Sequence, residues 1–142
     1  MMKKLLAATL LSLSLGAAWS CPVMDSTTEN VRDVVKSHGG YPISDAQCYL
    51  LKGKSLALSI FGVGTVLNGV NVAWATVTLQ DLKSNINSDK AGVSTQVKTG
   101  PTSEKIADDI LYEAITEALK SLDWDNAIKE VDHYRQEAVK PQ

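Results

Sequence analysis

The chain has 142 residues, with 14 Lys and Arg against 16 Asp and Glu and 44% hydrophobic residues. That length suits one domain around a single core, and the near-neutral, slightly acidic balance excludes the basic face that nucleic acid or an anionic membrane surface would need. Two cysteines and two histidines give neither zinc-ligand spacing nor a C-x-x-C redox motif.

Met1-Met2-Lys3-Lys4 is a short cationic start, the run from Leu5 through Leu15 is apolar, and Gly16-Ala17-Ala18-Trp19-Ser20 ends it with small residues. Residues 1–20 therefore read as a secretory signal peptide, too short in its apolar part for a membrane span of about 20 residues. Ala18 and Ser20 flank Trp19 as the small residues of a cleavage site, so cleavage after Ser20, which makes Cys21 the first mature residue, is the first choice and a cut one to three residues earlier the alternative. The expected division is a signal peptide, 1–20, and one periplasmic α+β domain, 21–142. Cleavage removes two of the 14 basic residues and none of the 16 acidic ones, so the mature charge is about −4.

Cys21 and Cys48 both lie outside the leader, and in an oxidising compartment the default is a disulfide between them. The alternative is lipidation. Ala18-Trp19-Ser20-Cys21 resembles a lipoprotein signal in part, although such signals carry Leu three places before the Cys and a small residue where Trp19 stands. In that case the protein would be an outer-membrane lipoprotein facing the periplasm, and Cys48 would be an unpaired thiol.

Ser26-Thr27-Thr28-Glu29 has the form of a capping box, and Val31, Val34, Val35 and His38 recur at helical spacing until Gly39-Gly40 and Tyr41-Pro42 end the pattern. Ser44-Asp45-Ala46-Gln47 repeats the capping pattern and predicts a short helix stopped by Gly53, with a strand from Cys48 as the alternative. Gly53-Lys54-Ser55 is not a phosphate loop, because the glycine required five residues earlier is Cys48.

Residues 55–80 carry no charge and by length alone could cross a membrane. Their Val and Thr content and the central Asn68-Gly69 argue instead for a β-hairpin with a two-residue turn. That turn sets Leu67 opposite Val70 and each further pair outward. One face then carries Leu58 opposite Leu79, Ile60 opposite Val77, Gly62 opposite Ala75 and Gly64 opposite Ala73, a surface on which a helix can lie close. The other has Ala57 opposite Gln80 and Ser59 opposite Thr78 at a solvent-like base. Toward the tip it has Phe61 opposite Thr76, Val63 opposite Trp74 and Thr65 opposite Val72.

A polar loop from Asp81 to Gly92 leads to a third strand in which Val93, Thr95 and Val97 alternate with Ser94, Gln96 and Lys98; the valines are expected inside and the polar set outside. Thr102 is the expected N-cap of a long helix with Ile106, Ile110, Ala114, Ala118 and Leu122 along one stripe and Leu111, Ile115 and Leu119 beside it. Asp123 or Asp125 restarts helix with Ile128 and Val131 inward, and the tail from Arg135 is expected to fray.

The fold expected is thus α+β: a three-stranded antiparallel sheet with a long C-terminal helix on one face and a shorter N-terminal helix. No converging catalytic set is found. His38 and His133 fall in different helices, Asp123-Trp124-Asp125-Asn126 lacks the later glycine and glutamate of a calcium loop, and Asp108, Asp109 and Glu113 suit a helix start. No cofactor or metal is expected. Phe61, Val63, Val72 and Trp74 on the hairpin's outer face are the candidate binding residues, for a protein partner or for self-association. A membrane is a partner only if Cys21 is lipidated. The function expected is protein binding in the bacterial envelope, by an accessory factor, inhibitor or immunity-type protein; a structural or regulatory lipoprotein is the second reading and a small enzyme the third.

Overall fold

The computed structural model describes residues 21–139, so the expected signal peptide lies outside the described residues. The elements in order are β1 (Asp25–Ser26), α1 (Glu29–Ser37), α2 (Asp45–Lys54), β2 (Leu56–Leu67), β3 (Val70–Asp81), β4 (Gly92–Lys98), α3 (Glu104–Ser121) and α4 (Trp124–Val139). The α+β class is as expected, but the sheet has four strands in the order β1-β2-β3-β4. The antiparallel trio is joined by the two-residue β1, which runs parallel to β2 with Asp25 beside Leu58 and Ser26 beside Ser59.

The hairpin turns at Asn68 and Gly69, both with positive φ, 49° and 76°, the conformation that matches a two-residue turn to the twist of its strands. Its register is the one the turn dictates, from Leu67 opposite Val70 out to Leu56 opposite Asp81. The inner row of β3 reads Asn71, Ala73, Ala75, Val77, Leu79, Asp81, every one buried. Facing it, α3 inserts Ala107, Ile110, Leu111, Ala114, Ile115, Ala118 and Leu119. Val31, Val34 and Val35 of α1, Leu51 of α2 and Ala127, Ile128 and Val131 of α4 complete one core.

Close approach is what the small residues permit. A Cβ built on Gly64 would collide with the carbonyl of Ala107, and one on Gly92 with that of Ala118. The helix therefore runs diagonally, from the tip of β2 to the start of β4, against backbone at both ends.

Three caps differ from expectation. Ser26 is taken into β1, so Thr28 is the N-cap of α1 and accepts from Val31 N at 3.4 Å. Ser103, not Thr102, caps α3. The box at Ser44 and Gln47 is present, but α2 passes through Gly53 and ends at a left-handed Ser55.

The tail from Arg135 stays helical through Val139, the rest of it, 140–142, lying outside the described residues. The Arg135 guanidinium donates to Asp81 Oδ1 from Nε at 3.0 Å and from Nη2 at 2.5 Å, to Lys54 O at 2.7 Å and to Asp132 Oδ1 at 3.2 Å. One side chain thus ties α4 to the end of β3 and to the last carbonyls of α2, groups a helix terminus leaves without partners. Burial of Asp81 opposes its ionisation, but hydrogen bonds from Arg135 and Ser84 outweigh that and hold its pKa well below the usual carboxylate range.

Cys21 and Cys48 form the expected disulfide, with Cα atoms 6.1 Å apart. Closing that loop contributes about 3 to 4 kcal/mol in the chain-entropy model. It anchors a strap that continues through β1, where Asp25 accepts from Arg32 Nη2 at 2.7 Å and Tyr41 Oη at 2.8 Å. Burial, then the bond to Asp25, pushes the Tyr41 phenol above its ordinary pKa.

Candidate functional site

The side of the sheet opposite α3 is uncovered toward the hairpin tip. Strand alternation sends Phe61, Val63 and Thr65 of β2 and Val72, Trp74 and Thr76 of β3 to this side. Phe61 is 61% exposed and Val63 40%, while their neighbour Ile60, on the other face, is 2% exposed. Val72 and Trp74 are half-buried. Phe61 and Trp74 sit on diagonal positions of the ladder and meet edge to face, with ring centroids 5.3 Å apart and planes inclined at 61°. The candidate residues Phe61, Val63, Val72 and Trp74 are therefore on one surface, and the aromatic pair fixes its relief.

β4 enlarges this surface, contrary to the expected orientation. Val93, Thr95 and Val97 stand opposite Thr76, Trp74 and Val72 and share their outer face, with Val93 58% and Val97 64% exposed. Gly92 is the cause. It lies under the backbone of α3 at Ala118, so its parity, shared with Ser94 and Gln96, is the inward one; only a residue without a side chain fits there, and the valines are sent outward. The base of the outer face is also less open than expected: Ala57 is 1% exposed, and the loop after β3 returns beside it, with Leu82 N donating to Ser55 O and Gln80 Nε2 to Asn85 O.

A second concavity, of about 620 Å³, lies at the end of α4 and is lined in part by Lys54, Asp81, Lys83, Asp132, Tyr134 and Arg135. Its charges are largely spent on one another: Lys54 on Asp132 at 2.6 Å and Arg135 on both Asp81 and Asp132. These pairs brace the fold, so the concavity offers a ligand few unpartnered groups.

Ser37, His38 and Asp109 also converge, which the sequence spacing did not reveal. His38 stacks on Tyr112 at 4.4 Å between centroids, with Nε2 3.1 Å from Asp109 Oδ1 and Nδ1 2.8 Å from Val34 O. Ser37 Oγ lies 3.1 Å from the same Nδ1, and it too reaches Val34 O, at 2.8 Å. The hydroxyl proton is directed at a carbonyl, and the ring is clamped between two acceptors. The group joins α1 to α3 and lacks the geometry of an activated nucleophile. His133 lies 6.0 Å from Tyr134 in α4, far from this cluster in sequence and in a different helix. Among the described residues no group of His, Cys, Asp and Glu is arranged to hold a metal ion, and no helix is long and apolar enough to cross a membrane.

No family model and no curated protein matches the chain. Among solved structures, a PelC dodecamer from Paraburkholderia phytofirmans is similar at 12% identity and a TM-score of 0.37, over 70% of this chain and 90% of that one. A likeness that low speaks neither to function nor to assembly.

Proposed function

We propose that this is an exported protein of the bacterial envelope that acts by binding another protein through the outer face of its sheet, in the manner of an accessory factor, inhibitor or immunity-type protein. The observation that carries the reading is the contrast at adjacent residues: Ile60 is sealed into the core while Phe61 is 61% exposed. Contiguous apolar surface on a monomer marks a site of interaction, and aromatic anchors supply a large share of interface energy. The half-buried Trp74 beside Phe61 gives the surface a preformed shape, which lowers the ordering cost of binding.

Export is supported by the leader-like residues 1–20 and by the disulfide, since such bonds persist in oxidising compartments. The disulfide also favours a free domain over a lipoprotein, because it engages the Cys21 sulfur that a diacylglyceryl thioether would require. Intact mass of the secreted protein separates the two: a chain beginning at Cys21 and lighter by two hydrogens is expected, and an added diacylglyceryl mass overturns the soluble form. For binding, Phe61→Asp is expected to abolish capture of the envelope partner by the purified protein. Undiminished capture would overturn the assignment of this face.

A further inference from the structure

The sheet has an open side edge at β4, which pairs with β3 along one flank and with no strand along the other among the described residues. In an antiparallel ladder successive N–H groups alternate sides. Val93 N points away from β3, donating to Ser121 Oγ at 3.1 Å, so the N–H and C=O groups of Thr95 and Val97 point away from β3 as well. No partner on that flank is described for either. Both side chains are exposed on the outer face, and the strand holds no proline and no charge before Lys98. Charge, proline and bulges are the usual means of keeping such an edge from pairing. Ser121 guards Val93; nothing comparable guards Thr95 and Val97.

We propose that β4 pairs with β4 of a second copy of this chain, antiparallel, about a two-fold axis through Thr95. The occupant follows from self-complementarity. Thr95 is the midpoint of Gly92–Lys98, so among registers that oppose the outward groups only this one aligns all seven residues, with Val93 N–H kept by Ser121 Oγ. It sets Val93 against Val97 of the second copy and Val97 against Val93, two β-branched cross-strand pairs on the exposed face. Thr95 meets Thr95, exchanging N–H and C=O, and each Val97 N–H reaches the other copy's Val93 carbonyl, which holds only a 3.4 Å contact from Ser121 Oγ. The single charge, Lys98, falls opposite Gly92, so no like charges meet. An uncharged edge whose exposed valines answer one another is best completed by its own copy.

The seam joins two sheets into one and makes their outer faces continuous, because Val72 and Trp74 stand opposite Val97 and Thr95 in each copy. A pair of Phe61–Trp74 surfaces would then be presented together, raising avidity for a repeated or two-fold partner. The pairing uses the edge and not the face, so it stands or falls separately from the binding role proposed above.

Cysteine cross-linking tests both pairing and register in the otherwise intact chain with its native disulfide. Residues exchanging hydrogen bonds across antiparallel strands lie at a Cα separation of about 5.5 Å, within disulfide reach. Under mild oxidation Thr95→Cys is expected to form a covalent dimer. Val93→Cys and Val97→Cys should each form no covalent dimer alone and cross-link when mixed, while Val63→Cys, away from the seam, should not cross-link at all. In sedimentation equilibrium Thr95→Lys, which sets two ammonium groups across the axis, should weaken association at least tenfold, with unfolding unchanged at a dilution where both proteins are monomeric, and Phe61→Asp should leave association intact. A monomeric parent protein, cross-linking of Val93→Cys with itself, or failure of Thr95→Cys to cross-link overturns the proposal, as does assembly larger than a dimer through this edge.

Discussion

The inner and outer faces of the same three strands are built from alternate residues of one sequence, yet they do different work. The inner row is sealed by α3 and closed by a polar clamp at each end. Asn71 donates to Pro101 O at 2.9 Å and accepts from Ser103 N at 3.3 Å, and Asp81 is held by Arg135. The outer row is also rich in apolar side chains, but no helix among the described residues covers Phe61, Val63, Val93 or Val97. Apolar content along a strand therefore does not reveal which face is core; the difference lies in what packs above it. The inner face accounts for stability and leaves the outer one uncovered.

Variants that probe each face sharpen this contrast. The largest effect is expected at the clamp. Arg135→Ala leaves a carboxylate that is 2% exposed without its counter-charge, held only by Ser84, and should cost about 3 to 5 kcal/mol in urea unfolding at neutral pH. The pH dependence has a definite sign. Because the folded Asp81 pKa is depressed, its contribution is complete above the unfolded carboxylate value of about 3.9 and is lost as pH falls below it toward the folded value. The gap between parent and Arg135→Ala should accordingly narrow in acid; a gap independent of pH would place the role of Arg135 in packing alone.

Next comes the core itself: Ile60→Ala should cost about 3 kcal/mol by removing methyl groups from a sealed site. Gly64→Ala should cost about 1 to 3 kcal/mol, because the new methyl meets the Ala107 carbonyl and α3 must lift. The smallest effect belongs to the outer face, where Phe61→Ala, one residue from Ile60, should change stability by less than about 1 kcal/mol. Equal losses at Ile60 and Phe61 would erase the distinction between the faces.

Much of this was legible in the residues. Asn68-Gly69 dictated the hairpin and its whole register, the uncharged run before it supplied the strands, and the spacing from Ile106 to Leu122 gave the helix that covers them. The disulfide followed from two cysteines and a leader-like start. What escaped the sequence was set by tertiary contacts. β1 is two residues long and exists because the disulfide strap lies along β2. The parity of β4 depends on Gly92 fitting beneath α3, and a glycine carries no hydrophobic signal, so the alternating valines pointed to the wrong face. Arg135 reads as the start of a fraying tail because its partners, Asp81 and the end of α2, are distant in the chain. Within the site, Phe61, Val63, Val72 and Trp74 were found by pairing outward from the turn, whereas Val93 and Val97 joined them only through that reversed parity.

The most direct test of the central claim is one variant measured twice. Phe61→Asp, compared with the parent protein in urea unfolding and in capture of the proposed protein partner, should unfold within about 1 kcal/mol of the parent and lose that capture. A loss of several kcal/mol, or capture equal to that of the parent, would contradict the reading of the outer face as the working surface of this protein.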